Sequence, residues 1–171
     1  MIYMKNNVKK IAFLGLFTAF ALILSFLESL IPNIIPVPGF KIGLANFAIL
    51  LTLYLFGFKE AAIVDICRMV LAALLFGSLF SFLYSLSGAV FAIGIEVIIK
   101  KTNKFSSIGV SVFGAIFHNI GQFILAIIIM RSIGLLFYLP ITLVFCVLTG
   151  ALNGYLVLII KDRLKFVKEE K

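Results

Sequence analysis

Residues 108–130, IGVSVFGAIFHNIGQFILAIIIM, decide the fold class. The run holds no Asp, Glu, Lys or Arg. It is long enough for an α-helix to cross a bilayer, which takes about 20 apolar residues. A transmembrane β-barrel would instead alternate apolar and polar residues over segments of about ten. Residues 11–27 repeat the continuously apolar pattern. Over all 171 residues the chain is 63% hydrophobic and 13% charged, with a mean hydropathy of +1.23. A soluble domain averages about 45–50% apolar and about 25% charged. Nineteen Phe and no Trp add bulk that a soluble domain of this size could not bury. These figures exclude a soluble globular enzyme, a disordered chain and a disulfide scaffold. The chain reads as an all-α integral membrane protein.

Working outward from that run, breaks fall at charges, Pro and Gly. They predict six transmembrane helices at 8–31, 42–57, 60–76, 79–99, 108–130 and 137–160, forming one membrane domain over 1–171. A Pro-rich, lid-like loop spans 32–41, and Pro140 stands in the first turn of the sixth helix, where a missing N–H costs nothing. The charged tail 161–171 is expected to be a surface extension. The basic start resembles a signal peptide, but its apolar run is too long, no A-x-A site follows and equally apolar spans come after it. It is therefore read as a retained first helix.

With the N-terminus inside, twelve Lys and Arg fall on cytoplasmic segments, two (Lys41 and Arg131) on outer loops, and Arg68 within a span. The positive-inside rule then sets both termini in the cytoplasm, in a cell membrane of bacterial type. The same rule explains the formal net charge of +8 without nucleic acid, since no basic stripe interleaves with exposed aromatics. Cys67 and Cys146 lie in apolar runs without CxxC spacing and read as small hydrophobes.

A charged group inside a bilayer costs at least about 2.5–3.5 kcal/mol, so each needs a reason. Asp65 and Arg68, spaced i, i+3, are expected to form a structural ion pair, the alternative being that Arg68 reaches an anionic ligand or partner. Glu96 is expected to pair with Lys100 at the inner interface. His118, Asn119 and Gln122 crowd one side of the fifth helix, as interhelical hydrogen-bond glue or as the polar wall of a ligand cavity. Glu28, Lys41, Asn46, Tyr84, Ser85 and Ser87 fall on the outer half and suit a cavity opening outward beneath the loop. Ala12, Gly15 and Ala19 give the first helix a small-residue face for close helix approach. No P-loop, no pair of Asp-rich motifs for magnesium diphosphate and no Ser/His/Asp set is present. A single His and scattered carboxylates suit no metal site. No catalytic residue and no cofactor is expected.

Four ordered stretches carry a family resemblance: Pro38-Gly39-Phe40-Lys41-Ile42-Gly43-Leu44-Ala45-Asn46, Leu53-Tyr54-Leu55-Phe56-Gly57-Phe58-Lys59-Glu60-Ala61, Leu83-Tyr84-Ser85-Leu86-Ser87-Gly88, and Gly114-Ala115-Ile116-Phe117-His118-Asn119-Ile120-Gly121-Gln122. Together they resemble the Gx transporter family, also labelled heptaprenyl diphosphate synthase component I. That family is similar in size and span count to the substrate-binding S components of energy-coupling-factor (ECF) vitamin importers. The resemblance implies a ligand in the outer half under the loop 32–41, where the polar residues read above, Glu28, Lys41, Asn46, Tyr84, Ser87, His118, Asn119 and Gln122, are expected to line its site. It also implies a transmembrane coupling subunit docked on Ala12, Gly15 and Ala19, with two separate ATPase chains. The expected function is uptake of a small vitamin-like or isoprenoid-related solute. The alternatives are a non-catalytic accessory subunit of polyprenyl diphosphate synthesis or of a quinone- or flavin-linked redox system, and a purely structural anchor.

Overall fold

The structure, a computed structural model, describes residues 7–31 and 43–169. Within them the chain forms six α-helices and no strand: α1 (Asn7–Ser29), α2 (Leu44–Leu55), α3 (Phe58–Leu75), α4 (Leu79–Lys101), α5 (Ser107–Met130) and α6 (Leu139–Glu169). A 3-10 helix (Ile133–Tyr138) leads into α6. The expected lid 32–41, Lys41 included, lies outside the described residues.

Four segments are long and apolar enough to cross a membrane: Val8–Ser29, Leu79–Lys101, Ser107–Met130 and Ile133–Lys161. The six expected spans thus reduce to four that qualify by length and composition. With 12 residues, α2 rises only about 18 Å, well short of a hydrocarbon core of ~30 Å. The 18 residues of α3 include Lys59, Glu60, Asp65 and Arg68, which take it out of the apolar class.

The reason α2 is shorter than expected lies at its two ends. Gly43, with φ 89°, turns the chain through the left-handed region at the N-cap, and Gly57, with φ 121°, breaks it after Phe56. Both conformations are open to glycine at little cost. At the other end of the chain no Pro or Gly follows Gly154, and α6 continues through Lys161 to Glu169 instead of stopping at Ile160. The expected surface tail begins as more of the same helix.

α2 sits at the centre, packed against α1, α3 and α6, while α4, α5 and α6 lie side by side and α3 joins α4 to α1. The hydrophobic core follows α2: Ala48, Ile49, Leu50, Leu53 and Leu55 meet Ala21 of α1, Val64 of α3, Val110 of α5 and Val157 of α6. Thr52 is fully buried there, and its hydroxyl donates to the Ala48 carbonyl at 2.8 Å. Glycines draw α5 close to both neighbours. A Cβ on Gly121 would lie 2.8 Å from the Ser87 carbonyl oxygen of α4, and one on Gly154 of α6 would lie 2.5 Å from the Ile108 Cα. Such small residues let apolar helices gain dispersion contact where lipid offers no hydrophobic drive between them.

Candidate functional site: a polar core among apolar helices

Five helices send polar side chains to one region of the interior. From α3, Arg68 donates through Nε to Asp65 Oδ1 at 3.1 Å, and its Nη2 pairs with the same oxygen. Its Nη1 reaches Ser25 of α1 at 3.3 Å. Both members of the pair are buried, Asp65 at 3% and Arg68 at 4% exposure. At that depth the guanidinium and carboxylate each need the other, because an unpaired ion would face the full cost of desolvation.

Asp65 also borders a small cleft with Asn46 of α2, Glu96 of α4 and His118 of α5. Its volume is about 10 Å³, the space of one water centre. The glycines of the facing helices shape these groups. A Cβ on Gly88 would lie 2.6 Å from His118 Nε2, so the imidazole occupies the notch that Gly88 leaves in α4. In the same way a Cβ on Gly114 would run into the Glu96 carboxylate.

Glu96 is therefore a core residue, buried to 6% exposure, and not half of an interfacial pair. The ammonium expected to neutralise it turns elsewhere: Lys100 donates to the Leu53 carbonyl at 2.5 Å and lies over the Tyr54 ring. The competing acceptor is the carbonyl end of α2, where the negative pole of the helix dipole favours a cation.

The other expected ligand residues divide among separate neighbours. Asn119 accepts a hydrogen bond from Thr142 of α6 at 3.0 Å, so it faces away from His118. Successive helix positions lie about 100° apart, enough to send one residue to α4 and the next to α6. Gln122 falls between these directions, is 4% exposed, and its Nε2 has no hydrogen-bond partner among the described residues. The Ser87 hydroxyl donates to the Gly121 carbonyl at 2.7 Å, tying α4 to α5. Tyr84 packs with Phe123, Ala126 and Leu135 in a separate apolar cluster.

Glu28 has a different task from the core groups. Buried at 7% exposure, it accepts the backbone N–H of Gly43, while Asn153 of α6 donates to the Gly43 carbonyl at 2.9 Å. Side chains from α1 and α6 thus clamp both sides of the glycine that starts α2. Ser25, Thr142 and Asn153 were not singled out from sequence. Each is a lone hydroxyl or amide in an apolar run, a signal no stronger than that of Thr149, which bonds only within its own helix.

The face formed by Ala12, Gly15 and Ala19 is exposed, and nothing lies within 4 Å of where a Gly15 Cβ would stand. No group of three or more metal-ligating side chains occurs among the described residues. Between α3 and α4 runs an apolar groove of about 230 Å³ that reaches Asp65 at its floor.

Four long apolar helices, a short helix buried at their centre and an ionisable cluster beside it define a helical membrane protein with a polar core. The chain belongs to the heptaprenyl diphosphate synthase component I family, whose sequence model matches residues 17–160. No curated protein and no solved structure matches it.

Proposed function

We propose that this chain is a ligand-binding membrane subunit, similar to an S component, for uptake of a small vitamin-like or isoprenoid-related solute. One observation carries the reading: Asn46, Asp65, Glu96 and His118 come from four helices to one buried cleft. The cleft has room for one water as it stands, so in this reading the helices part to admit the solute. Ionisable groups at membrane depth are expensive and by default mark a functional site. Two carboxyl groups stand there against one guanidinium and one imidazole, which suits a solute offering hydrogen-bond donors or positive charge. The unpartnered Gln122 amide is a further contact for such a solute.

In this reading α2 and α3 complete six crossings, α2 short because protein and not lipid surrounds it, with both termini cytoplasmic in a cell membrane. Ala12, Gly15 and Ala19 receive a transmembrane coupling subunit, and two ATPase chains supply the energy. The loop 32–41 closes the outer side, and Glu28 holds the start of α2. The second reading is favoured by the family match: a non-catalytic accessory subunit of heptaprenyl diphosphate synthesis. In both, the chemistry resides on other chains.

Native mass spectrometry of the protein, gently solubilised from its own membranes, separates the two. A retained small solute, lost in Asn46→Leu and reduced in Gln122→Leu, supports uptake. An empty core with a bound soluble prenyltransferase overturns it in favour of the accessory subunit.

A further inference from the structure

Two lysines from helices far apart in sequence converge on one aromatic ring. The ammonium of Lys100, at the end of α4, lies 4.6 Å from the centroid of Tyr54, and that of Lys161, in α6, lies 5.1 Å from it. Cation–π attraction to the ring, joined for Lys100 by the carbonyl end of α2, offsets the repulsion between the two like charges. Lys100 uses one donor on the Leu53 carbonyl and keeps the others.

Among the described side chains neither ammonium has a carboxylate within ion-pair distance. Of the described acids, Glu60 pairs with Lys10, while Glu96 fills the notch at Gly114 and acts on Lys100 through space without an ion-pair contact. The positive-inside rule explains why lysines gather at helix ends. It does not explain why these two are half-buried and turned onto a ring while Lys101 and Lys104 are exposed. Two half-buried cations that rest on one ring and have donors to spare suit an anion, since they lose less side-chain freedom on binding than exposed lysines do.

We infer that Lys100, Lys161 and the Tyr54 ring form a seat for a phosphate-bearing anion at the bilayer surface, apart from the polar core. The shared chemistry is a phosphate oxygen bridging or touching two ammonium groups. It can come from the headgroup of an anionic lipid or from a soluble phosphate or diphosphate.

The test uses the full chain in neutral detergent with two probes: phosphatidylglycerol, followed by native mass spectrometry, and inorganic diphosphate, followed by calorimetry. Wild type binds at least one probe. The double variant Lys100→Gln/Lys161→Gln binds it at least about tenfold more weakly. Lys101→Gln/Lys104→Gln removes the same net charge and changes binding by less than about twofold, because exposed charges are screened. Binding of the lipid alone assigns a membrane headgroup, and binding of diphosphate assigns a soluble anion. Equal weakening by the two double variants, or no binding of either probe, overturns the inference. Thermal unfolding checks each variant. Lys161→Gln alone, expected to lose about threefold, carries the test if the double variant does not fold.

Discussion

α1 and α2 are both almost wholly apolar, yet they live in opposite surroundings. In α1 only Ala21, Ser25 and Glu28 are buried among the described residues, at a spacing that marks one narrow face. In α2, little more than half as long, eight of twelve residues are buried and they lie on every side. In water the two would be told apart by their polar faces. In lipid the outside is as apolar as the inside, so hydropathy cannot say which helix is central. What distinguishes the interior is its polar atoms and its glycines. An ionisable or amide group must find a partner, and a partner is found only inside.

Substitutions test that contrast most severely where the interior is charged. Arg68→Met leaves Asp65 buried and unpaired, and is expected to cost about 3–5 kcal/mol. Adding Asp65→Leu restores most of that loss. Thermal unfolding of the two variants in detergent checks this, and equal stability of single and double variants would remove the argument. Gly88→Ala drives a methyl into the His118 ring and should cost about 1–3 kcal/mol. By contrast Gly15→Ala, with open space around it, should change stability by less than about 0.5 kcal/mol. If the two glycines respond alike, the distinction between inner and outer helices fails.

Smaller effects sharpen the picture. Asn153→Leu removes the side chain that bonds the Gly43 carbonyl, at an expected cost of about 1 kcal/mol, seen as earlier hydrogen exchange at the start of α2. Gln122→Leu takes away a buried amide with an unmet donor, so it should leave stability within about 0.5 kcal/mol of wild type or raise it. The same variant should retain less solute in native mass spectra. A clear loss of stability would mean that Gln122 is a structural residue.

The long helices were legible because nothing interrupts them: residues 108–130 were expected and Ser107–Met130 is found. The limits of α2 were missed by two residues at each end, since apolar character runs on past the glycines whose positive φ stops the helix. The Asp65–Arg68 contact is readable from spacing along one helix. Glu96 was misread for the same reason that made Asp65 easy. An i, i+4 lysine was at hand, and only the fold reveals that Leu53 takes its ammonium while Gly114 makes room for the carboxylate. His118, Asn119 and Gln122 share a side on a helical wheel, but the positions of α4 and α6 divide that side between two neighbours. Contacts of this kind join residues tens of positions apart and leave no local pattern.

The clamp on Gly43 has an electrostatic consequence. A helix N-terminus offers unbonded N–H groups and the positive end of a dipole, a natural resting place for an anion. At α2 that place is already held by the Glu28 carboxylate, which receives the Gly43 N–H. An incoming phosphate or carboxylate would meet a fixed negative charge where it needs a donor. The protein thus carries its own counter-anion at the head of its central helix, and that one side chain fills the place where an outside anion would otherwise settle.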